Sequence, residues 1–258
     1  MDLSKNRLAF GSIAENYQKY RRGYPQELYD FLRTLAPSQA AVLDIGCGTG
    51  KSTEPLVNLA SNVVGVDPDP LMLRQAENNA KEHSLPIKYY EGAAEKLPFE
   101  TAMFDVVVSG RAFHWFATDE AIDEISRVLK PGGLLFVFWS KGDETIDDPL
   151  EPSIDSAIFE KYHWEFNPVK LRDQQAIGEL FEKNNYKNVF RVTIPYTESY
   201  TLEEYVGLEA TASQFSLLSP EEQRGFIEDV TECLKPQLGG GSHFHLHQKI
   251  EVVYGTKA

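Results

Sequence analysis

The chain has 258 residues, of which 42% are hydrophobic and 25% are charged, and its formal net charge is -14. This length and composition suit one globular domain over residues 1–258 with a full core of its own. An acidic surface repels phosphate backbones and anionic headgroups, so we expect no nucleic-acid partner and no membrane partner. No signal-peptide pattern, no apolar run of about 18 residues and no disulfide framework is present, which predicts a cytoplasmic protein.

The predicted elements alternate between strands and helices up to about residue 140, which is typical of a parallel sheet wrapped by helices. Apolar spacing and turn residues predict a helix from Pro25, a strand over 41–45, a helix over 51–59, a strand ending at Asp67, a helix capped by Asp69, strands over 87–90 and 104–108, a helix over 119–129 and a strand over 134–139. Beyond that point the alternation weakens. Helices are predicted over 153–166, 174–184, 203–215 and 220–234, with strands over 189–196 and 244–254.

A glycine-rich turn follows the first strand, with glycines at positions 46, 48 and 50. A dinucleotide site has the spacing G-x-G-x-x-G, because the pyrophosphate must lie against bare backbone. Here the spacing differs, and Asp44 would repel a phosphate while attracting an ammonium group. Asp67, at the end of the second strand, is placed to bind ribose hydroxyls. These residues favour S-adenosylmethionine (SAM) as cofactor, since it carries adenosine, an ammonium and a sulfonium but no phosphate.

The segment Val42 to Gly50 resembles motif I of the class I SAM-dependent methyltransferases of the type 11-like kind, and Asp67 falls where that family has its ribose-binding acid. The segment from Gly92 to Phe99 resembles the family's adenine-side motif, although Ala93 stands where an aspartate is usual. The backbone around Ala94 or the side chain of Glu95 would then contact the adenine amino group, and Glu95 can alternatively cap a turn. The resemblance implies these cofactor-binding residues: Tyr20, Arg21, Asp44, Gly46, Cys47, Gly48, Asp67, Pro68, Met72, Ala93, Ala94, Glu95 and Ser109.

An arm of aromatic and basic residues precedes the first core helix. Its sequence, from Tyr17 to Pro25, resembles a Tyr-x-x-Tyr-Arg-x-Gly-Tyr-Pro stretch that family members fold over the cofactor. The resemblance implies that an arginine meets the SAM carboxylate through charge-assisted hydrogen bonds, with Tyr20 and Arg21 as the matching residues. The alternative is an amphipathic arm packed on the sheet edge.

The loop after the fourth strand, Ser109 to Phe116, is expected to face the methyl group, because ligands bind outside the carboxyl ends of parallel strands. It lacks the Asn-Pro-Pro-Tyr-like motif of amide and adenine-amino methyltransferases, which argues against DNA adenine and protein glutamine as acceptors. Arg111, His114 and Trp115 are the candidate substrate-binding residues. His114 is also the candidate catalytic residue, since imidazole titrates near neutral pH. A carboxylate or thiolate acceptor needs no base, so binding or packing roles for His114 stay open.

Three histidines, His243, His245 and His247, alternate along the last predicted strand and would share one of its faces. Such a spacing can bind zinc. No fourth ligand and no carboxylate is marked nearby in the sequence. We therefore predict no metal and interpret the pattern as a half-exposed strand.

The family resemblance implies an α/β fold with a doubly wound, seven-stranded, mostly parallel sheet and a helical cap drawn from about residues 1–24, 141–172 and 202–236. The Ala-Phe-His-Trp-Phe loop, the arm and the late helices look most like the trans-aconitate methyltransferase group, whose members esterify small carboxylic acids. Arg111, Lys170 and Arg172 are the cations expected to hold such an acid. One alternative is a carbon or oxygen methyltransferase of a quinone, sterol or other aromatic natural product, for which Phe159, Tyr162, Trp164, Phe166 and Phe215 would suit a flat substrate. Another is a SAM-binding regulator without turnover. The oligomeric state stays open.

Overall fold

The structure is a computed structural model that describes residues 14–164, 173–212 and 214–258. Phe166, Lys170 and Arg172 therefore lie outside the described residues. The helices are α1 (Ala14–Tyr20), α2 (Gln26–Leu35), α3 (Pro70–Glu82), α4 (Asp119–Val128), α5 (Ser156–Lys161), α6 (Gln174–Lys183), α7 (Leu202–Glu209) and α8 (Pro220–Leu234). The strands are β1 (Ala40–Ile45), β2 (Ala60–Asp67), β3 (Ile87–Glu91), β4 (Phe104–Gly110), β5 (Leu129–Gly142), β6 (Tyr186–Tyr200) and β7 (Phe244–Lys257). No helix in the described ranges combines the length and apolar character needed to cross a membrane.

The strands form a seven-stranded sheet in the order β3-β2-β1-β4-β5-β7-β6. Strands β1 to β5 run parallel, whereas β7 pairs antiparallel with both β5 and β6. This arrangement confirms the predicted fold class. The chain order reverses between β1 and β4, and such a switch point leaves a crevice at the carboxyl ends of the strands.

Apolar layers cover both faces of the sheet, so its central strands are buried on both sides. Successive side chains of a strand point to opposite faces. Accordingly, Val42 belongs to the cluster under α2, with Leu28, whereas Leu43 belongs to the cluster under α4, with Ile122. The near-continuous apolar runs of β1 and β4 are thus the signature of doubly covered parallel strands.

A third apolar cluster joins α5, α7 and α8 to the outer ends of β6 and β7, and we call it the helical cluster. Its buried members are Tyr162, Tyr200, Tyr205, Val206, Ala210, Phe215, Phe226, Val230, Leu234, Phe244 and Leu246. Trp164 stacks on Phe226 with ring centroids 4.9 Å apart, and Tyr162 meets the same ring edge-on at 5.4 Å. The aromatic residues of these helices therefore pack largely against one another.

Three helix predictions are wrong in extent. Within the described residues the helix predicted over 153–166 covers only Ser156–Lys161, because Asp155 caps its start and the chain turns at Tyr162. The segment 51–59 forms a 3-10 helix over Glu54–Asn58. The Gly50 carbonyl accepts hydrogen bonds within a turn, and the hydrogen bonds that follow span three residues, as from the N–H of Leu56 to the carbonyl of Thr53. The helix predicted over 203–215 ends at Glu209, after which the chain tightens into further short turns. Local apolar spacing does not distinguish a 3-10 turn from an α-helical one over so few residues.

Candidate active site

A cleft opens at the carboxyl ends of β1, β2 and β4, at the switch point of the sheet. The residues that line it are Ile45, Gly46, Gly48, Asp67, Pro68, Met72, Gly92, Ala93, Ala94, Gly110, Arg111, Ala112, Trp115 and Phe116. Nine of the sequence-predicted site residues are among them: Gly46, Gly48, Asp67, Pro68, Met72, Ala93, Ala94, Arg111 and Trp115. Sequence reasoning missed the others, although all of them are neighbours of predicted residues in the chain.

The glycine turn crosses the end of β1 with left-handed backbone. Gly46 has a φ of 72°, and a Cβ atom added there would lie 2.3 Å from the Cβ of Ala112. The backbone N–H groups of Gly46 and Cys47 both donate to the carbonyl of Val66, at 2.8 and 3.1 Å. Glycine is thus required at position 46 by its conformation and by the close approach of the β4 loop.

Asp67 lies at the cleft end of β2 with a buried carboxylate. Its Oδ2 accepts the backbone N–H of Gly48 and its Oδ1 accepts that of Asp69, each at 2.9 Å. Burial raises the pKa of Asp67 to about 6, although these two hydrogen bonds oppose the shift. Because a carboxylate oxygen can accept two hydrogen bonds, both oxygens retain capacity toward the cleft. This arrangement fits the vicinal hydroxyls of a ribose.

Asp44 lies beneath the turn and is fully buried, without lining the cleft. Its Oδ2 accepts hydrogen bonds from the hydroxyls of Ser52 and Thr53, both at 2.7 Å. Its Oδ1 has no hydrogen-bond partner among the described residues. Burial raises the pKa of Asp44 to about 7. A buried carboxylate oxygen without a hydrogen-bond partner costs free energy. The ammonium group of a bound SAM would reduce that cost.

Two other predicted residues are structural in position. Cys47 is buried, and burial raises the pKa of its thiol well above the ordinary value, which agrees with a small packed residue rather than a redox group. Ser109 is buried on β4, and its hydroxyl donates to the carbonyl of Ile45 at 3.0 Å. Neither lines the cleft. Both hold the strand ends that form its floor.

The adenine-side segment after β3 presents backbone and small side chains to the cleft. Ala93 pairs with Lys96 in an isolated bridge, and the backbone N–H of Leu97 donates to Glu124 at 2.8 Å. Arg127 donates to the carbonyl of Phe99 at 2.8 Å, which fastens the end of the segment to α4. Glu95 is half-buried and does not line the cleft. With alanine at position 93, the described part of this segment that lines the cleft, Gly92 to Ala94, offers only backbone polar groups.

The loop after β4 turns sharply at Arg111, a non-glycine residue with a φ of 57°. Its backbone N–H donates to the carbonyl of Phe138 at 2.8 Å, which holds the loop against β5. Trp115 lines the cleft, whereas His114 is buried beside it with the ring centroids 4.9 Å apart. His114 instead borders a small cavity next to Trp139. The structure therefore brings Arg111 and Trp115 to the cleft and places His114 behind them.

The arm docks on α7 rather than on the sheet edge. The ring of Tyr20 lies where a side chain at Gly207 would be, 2.4 Å from the position of an added Cβ. The guanidinium Nε of Arg21 donates to the hydroxyl of Thr211 at 2.7 Å. The ammonium of Lys51 donates to the carbonyl of Gln18 at 2.9 Å, so the arm also contacts the glycine turn. Tyr20 and Arg21 do not line the cleft among the described residues.

A charged cluster that the sequence does not reveal lies beside the cleft. Burial raises the pKa of Glu198 on β6, while the Tyr200 hydroxyl and the positive charges of Arg22, Arg111 and Arg21 act in the opposite direction. Tyr200 donates to Glu198 at 2.9 Å, and the guanidinium of Arg22 lies 4.0 Å from the centre of the Tyr200 ring. The charged residues of the arm, of the β4 loop and of β6 therefore lie close enough to one another to interact electrostatically.

Comparison with known proteins gives the family. An uncharacterized methyltransferase of Mycobacterium tuberculosis is 34% identical over 218 residues, which are 84% of this chain and 81% of the relative. The chain belongs to the class I SAM-dependent methyltransferases. The family model described as a methyltransferase domain matches residues 43–137 of this methyltransferase, the part that holds the glycine turn, Asp67 and the β4 loop.

Two solved structures share the methyltransferase fold. The YcgJ protein of Bacillus subtilis superimposes with a TM-score of 0.55 at 18% identity, covering 90% of this chain and 99% of the other. Phosphoethanolamine N-methyltransferase 2 of Haemonchus contortus, solved with S-adenosyl-L-methionine, gives a TM-score of 0.58 at 19% identity, with 96% of this chain and 57% of the other covered. At these identities the likeness concerns the fold.

The histidine pattern of β7 has a partner that the sequence analysis missed. Asp148, which follows β5, lies 3.0 Å from His245 and 2.9 Å from His247. The sequence marks no carboxylate near these histidines along the chain, and the fold brings one close in space. Asp148 is 97 and 99 residues away along the chain, so no local spacing could have identified it.

Proposed function

We propose that this methyltransferase esterifies a small carboxylic acid, as the resemblance to the trans-aconitate methyltransferase group suggests, with Arg111 as the group that holds the acceptor. One observation carries the proposal: Arg111 is the single cationic side chain among the described residues that line the cleft. It lies at the carboxyl end of β4, where the reacting group is expected. In a protein with a net charge of -14, such a local cation selects for anions.

The residues around the cleft can perform the binding part of the reaction. Asp67 would accept hydrogen bonds from the ribose hydroxyls, and the bare backbone of Gly46 and Gly48 would let the cofactor approach closely. The negative charge of Asp44, buried beneath the glycine turn, would attract the ammonium. Bound SAM supplies the methyl group to be displaced in line. Trp115 and Phe116 contribute apolar side chains to the wall of the cleft.

An acid acceptor also accounts for the position of His114. A carboxylate carries no proton to be removed, so its oxygen forms the new bond to the methyl carbon while the sulfur keeps the electron pair of the bond that breaks. The products are a methyl ester and S-adenosylhomocysteine. No general base is required, and positioning alone can support the reaction. A buried His114 behind Trp115 is consistent with a packing role.

The described aromatic residues favour the acid over the flat aromatic substrate. Phe159, Tyr162, Trp164 and Phe215 all contact the ring of Phe226, with centroid distances between 4.9 and 6.4 Å. They stabilise the helical cluster and do not line the cleft. We propose that this cluster acts as the cap, closing one side of the acceptor site while Arg111 supplies its polar end.

The experiment uses methyl-labelled SAM with two panels of acceptors, small di- and tricarboxylic acids against phenols and quinones. Base-labile label is expected only from acids. In Arg111→Gln the KM for the acid should rise by roughly ten- to a hundredfold. The KM of Arg111→Lys should lie between that of the unchanged protein and that of Arg111→Gln. Arg33→Gln, which removes an exposed cation of α2, is the matched control. Transfer only to ring compounds, or SAM binding without any turnover, would overturn the proposal.

A further inference from the structure

We propose that Asp148, His245 and His247 form a Zn²⁺ site that joins the start of β7 to the segment leading into the helical cluster. Nδ1 of His245 and Nε2 of His247 point at the same atom, Oδ2 of Asp148, from 3.0 and 2.9 Å. All three ligand atoms lie within 4.8 Å of one another. This site is independent of the proposed methyl acceptor.

The two spacings between a histidine nitrogen and the Asp148 oxygen are close to what zinc requires. Zinc binds imidazole nitrogen and carboxylate oxygen at about 2.0 to 2.2 Å, so neighbouring ligand atoms in a tetrahedral site stand about 3.3 Å apart. The observed nitrogen–oxygen distances of 2.9 and 3.0 Å need to open by only a few tenths of an ångström. Each imidazole presents a lone pair to the ion after its proton moves to the other ring nitrogen or to solvent.

The groups behind the three ligands hold them in place. The other oxygen of Asp148, Oδ1, accepts the backbone N–H of Leu150 at 2.8 Å. The other ring nitrogen of His247, Nδ1, lies 3.0 Å from the hydroxyl of Thr197 on β6. The backbone N–H of His245 donates to the Leu150 carbonyl at 3.0 Å. Metal-binding histidines and carboxylates carry such outer hydrogen bonds, which fix ring orientation and tautomer.

The ligand set and its exposure indicate which ion would bind. Two imidazoles and one carboxylate suit Zn²⁺, whereas Mg²⁺ and Ca²⁺ prefer oxygen ligands throughout. The side chains of His245, His247 and Asp148 are 39%, 15% and 19% exposed, so an ion can enter from solvent and a water can complete its shell.

The position of the site indicates a structural ion. His245 and His247 alternate with Phe244 and Leu246, which are buried in the helical cluster, so the ligands lie on the opposite face of β7. The backbone N–H of Asp143 donates to the carbonyl of His247 at 2.9 Å. The segment from residue 143 to α5 is thus attached to β7 at its beginning, and the ion would strengthen its attachment at Asp148.

The first test measures zinc directly on the full chain, produced without a histidine tag and stripped with a chelator. After equilibrium dialysis against Zn²⁺, we expect one equivalent bound and a Tm raised by at least about 5 °C at a hundred times Kd. Co²⁺ should give the visible absorption bands of a tetrahedral or five-coordinate site. Less than about a fifth of an equivalent of zinc, with no cobalt bands, would overturn the proposal and leave a hydrogen-bonded cluster only.

The second test uses variants with a matched control. His245→Gln and Asp148→Asn should weaken zinc binding by at least roughly tenfold, because each removes a ligand. His243→Gln is the control, since His243 belongs to the same histidine series but its ring nitrogen lies 2.7 Å from the Ser242 hydroxyl instead. Thr197→Val leaves all three ligands and should still weaken binding measurably. Equal loss in His243→Gln, or no loss in His245→Gln, would show that the metal binds elsewhere.

Discussion

Oδ2 of Asp67 accepts the backbone N–H of Gly48 at 2.9 Å, so the end of β2 and the glycine turn are joined by a carboxylate that itself lines the cleft. The same side chain accepts the N–H of Asp69, which caps α3 through the N–H of Leu71. The residue that we expect to bind the ribose therefore also organises the backbone around it. Because one carboxylate has both roles, the consequences of its removal can be measured.

Asp67→Ala should lower SAM affinity by roughly 1.5 to 3 kcal/mol, about ten- to a hundredfold, because charge-assisted hydrogen bonds to the ribose are lost. Isothermal titration calorimetry measures the change. Glu95→Ala should have a smaller effect, since Glu95 does not line the cleft, and Glu91→Ala at the exposed end of β3 is the control. Unchanged SAM binding in Asp67→Ala would contradict the assignment of the ribose site.

Gly46→Ala should destabilise the fold by more than Gly132→Ala. The two glycines have nearly the same φ, 72° and 73°, but an added Cβ at Gly132 meets nothing within 4 Å, whereas at Gly46 it meets Ala112 at 2.3 Å. Backbone strain alone costs roughly 1 to 2 kcal/mol, and the clash adds about 1 to 3 kcal/mol. Urea unfolding measures the difference. Adding Ala112→Gly should recover only the part due to the clash, and no recovery would contradict this account.

SAM affinity should rise as the pH rises from about 5 to about 7.5. Burial raises the pKa of Asp44 to about 7 and that of Asp67 to about 6, from 3.8. The folded protein thus keeps protons that the unfolded chain releases, so these two groups reduce fold stability as the pH rises from about 4 to about 7. The ammonium of SAM favours ionised Asp44, so binding releases protons in the same range.

Asp44→Asn should flatten this pH dependence and lower the number of protons released on binding. Calorimetry in two buffers with different ionisation enthalpies measures that number. Asp105→Asn is the control, because the hydrogen bonds of Asp105 to the Ala41 backbone and to Lys130 lower its pKa, opposing the effect of burial, and it remains ionised throughout. An unchanged slope in Asp44→Asn would show that another group titrates.

Thr211→Val should loosen the arm, because the buried hydroxyl of Thr211 accepts from Arg21 at 2.7 Å. We expect faster proteolysis near Lys19 and SAM binding weakened by roughly 1 to 3 kcal/mol. Thr231→Val, which removes an exposed hydroxyl from α8, is the control. The effects of Thr211→Val and Arg21→Ala should not add, since both remove the same bond. Full additivity would show that the two residues act separately.

The sequence by itself determined the cofactor half of the methyltransferase. The glycine turn, the end of β2 at Asp67 and the start of α3 at Pro70 all appear where they were predicted. Each depends on interactions within a few residues: apolar runs for buried strands, glycine for left-handed backbone, and a side-chain cap before proline. Such local signals can be recognised in the sequence without knowing which elements pack against one another in the fold.

Only the tertiary structure decided which distant groups meet. Glu198 on β6 lies in the field of Arg111 from β4 and of Arg21 from the arm, because β7 inserts between β5 and β6 and places β6 at the edge beside the arm. Asp148 reaches His247 because β7 begins beside the end of β5, where Gly142 pairs with Gln248, before it runs back along that strand. Strand order is set by burial summed over the whole sheet, and no spacing along the chain encodes it.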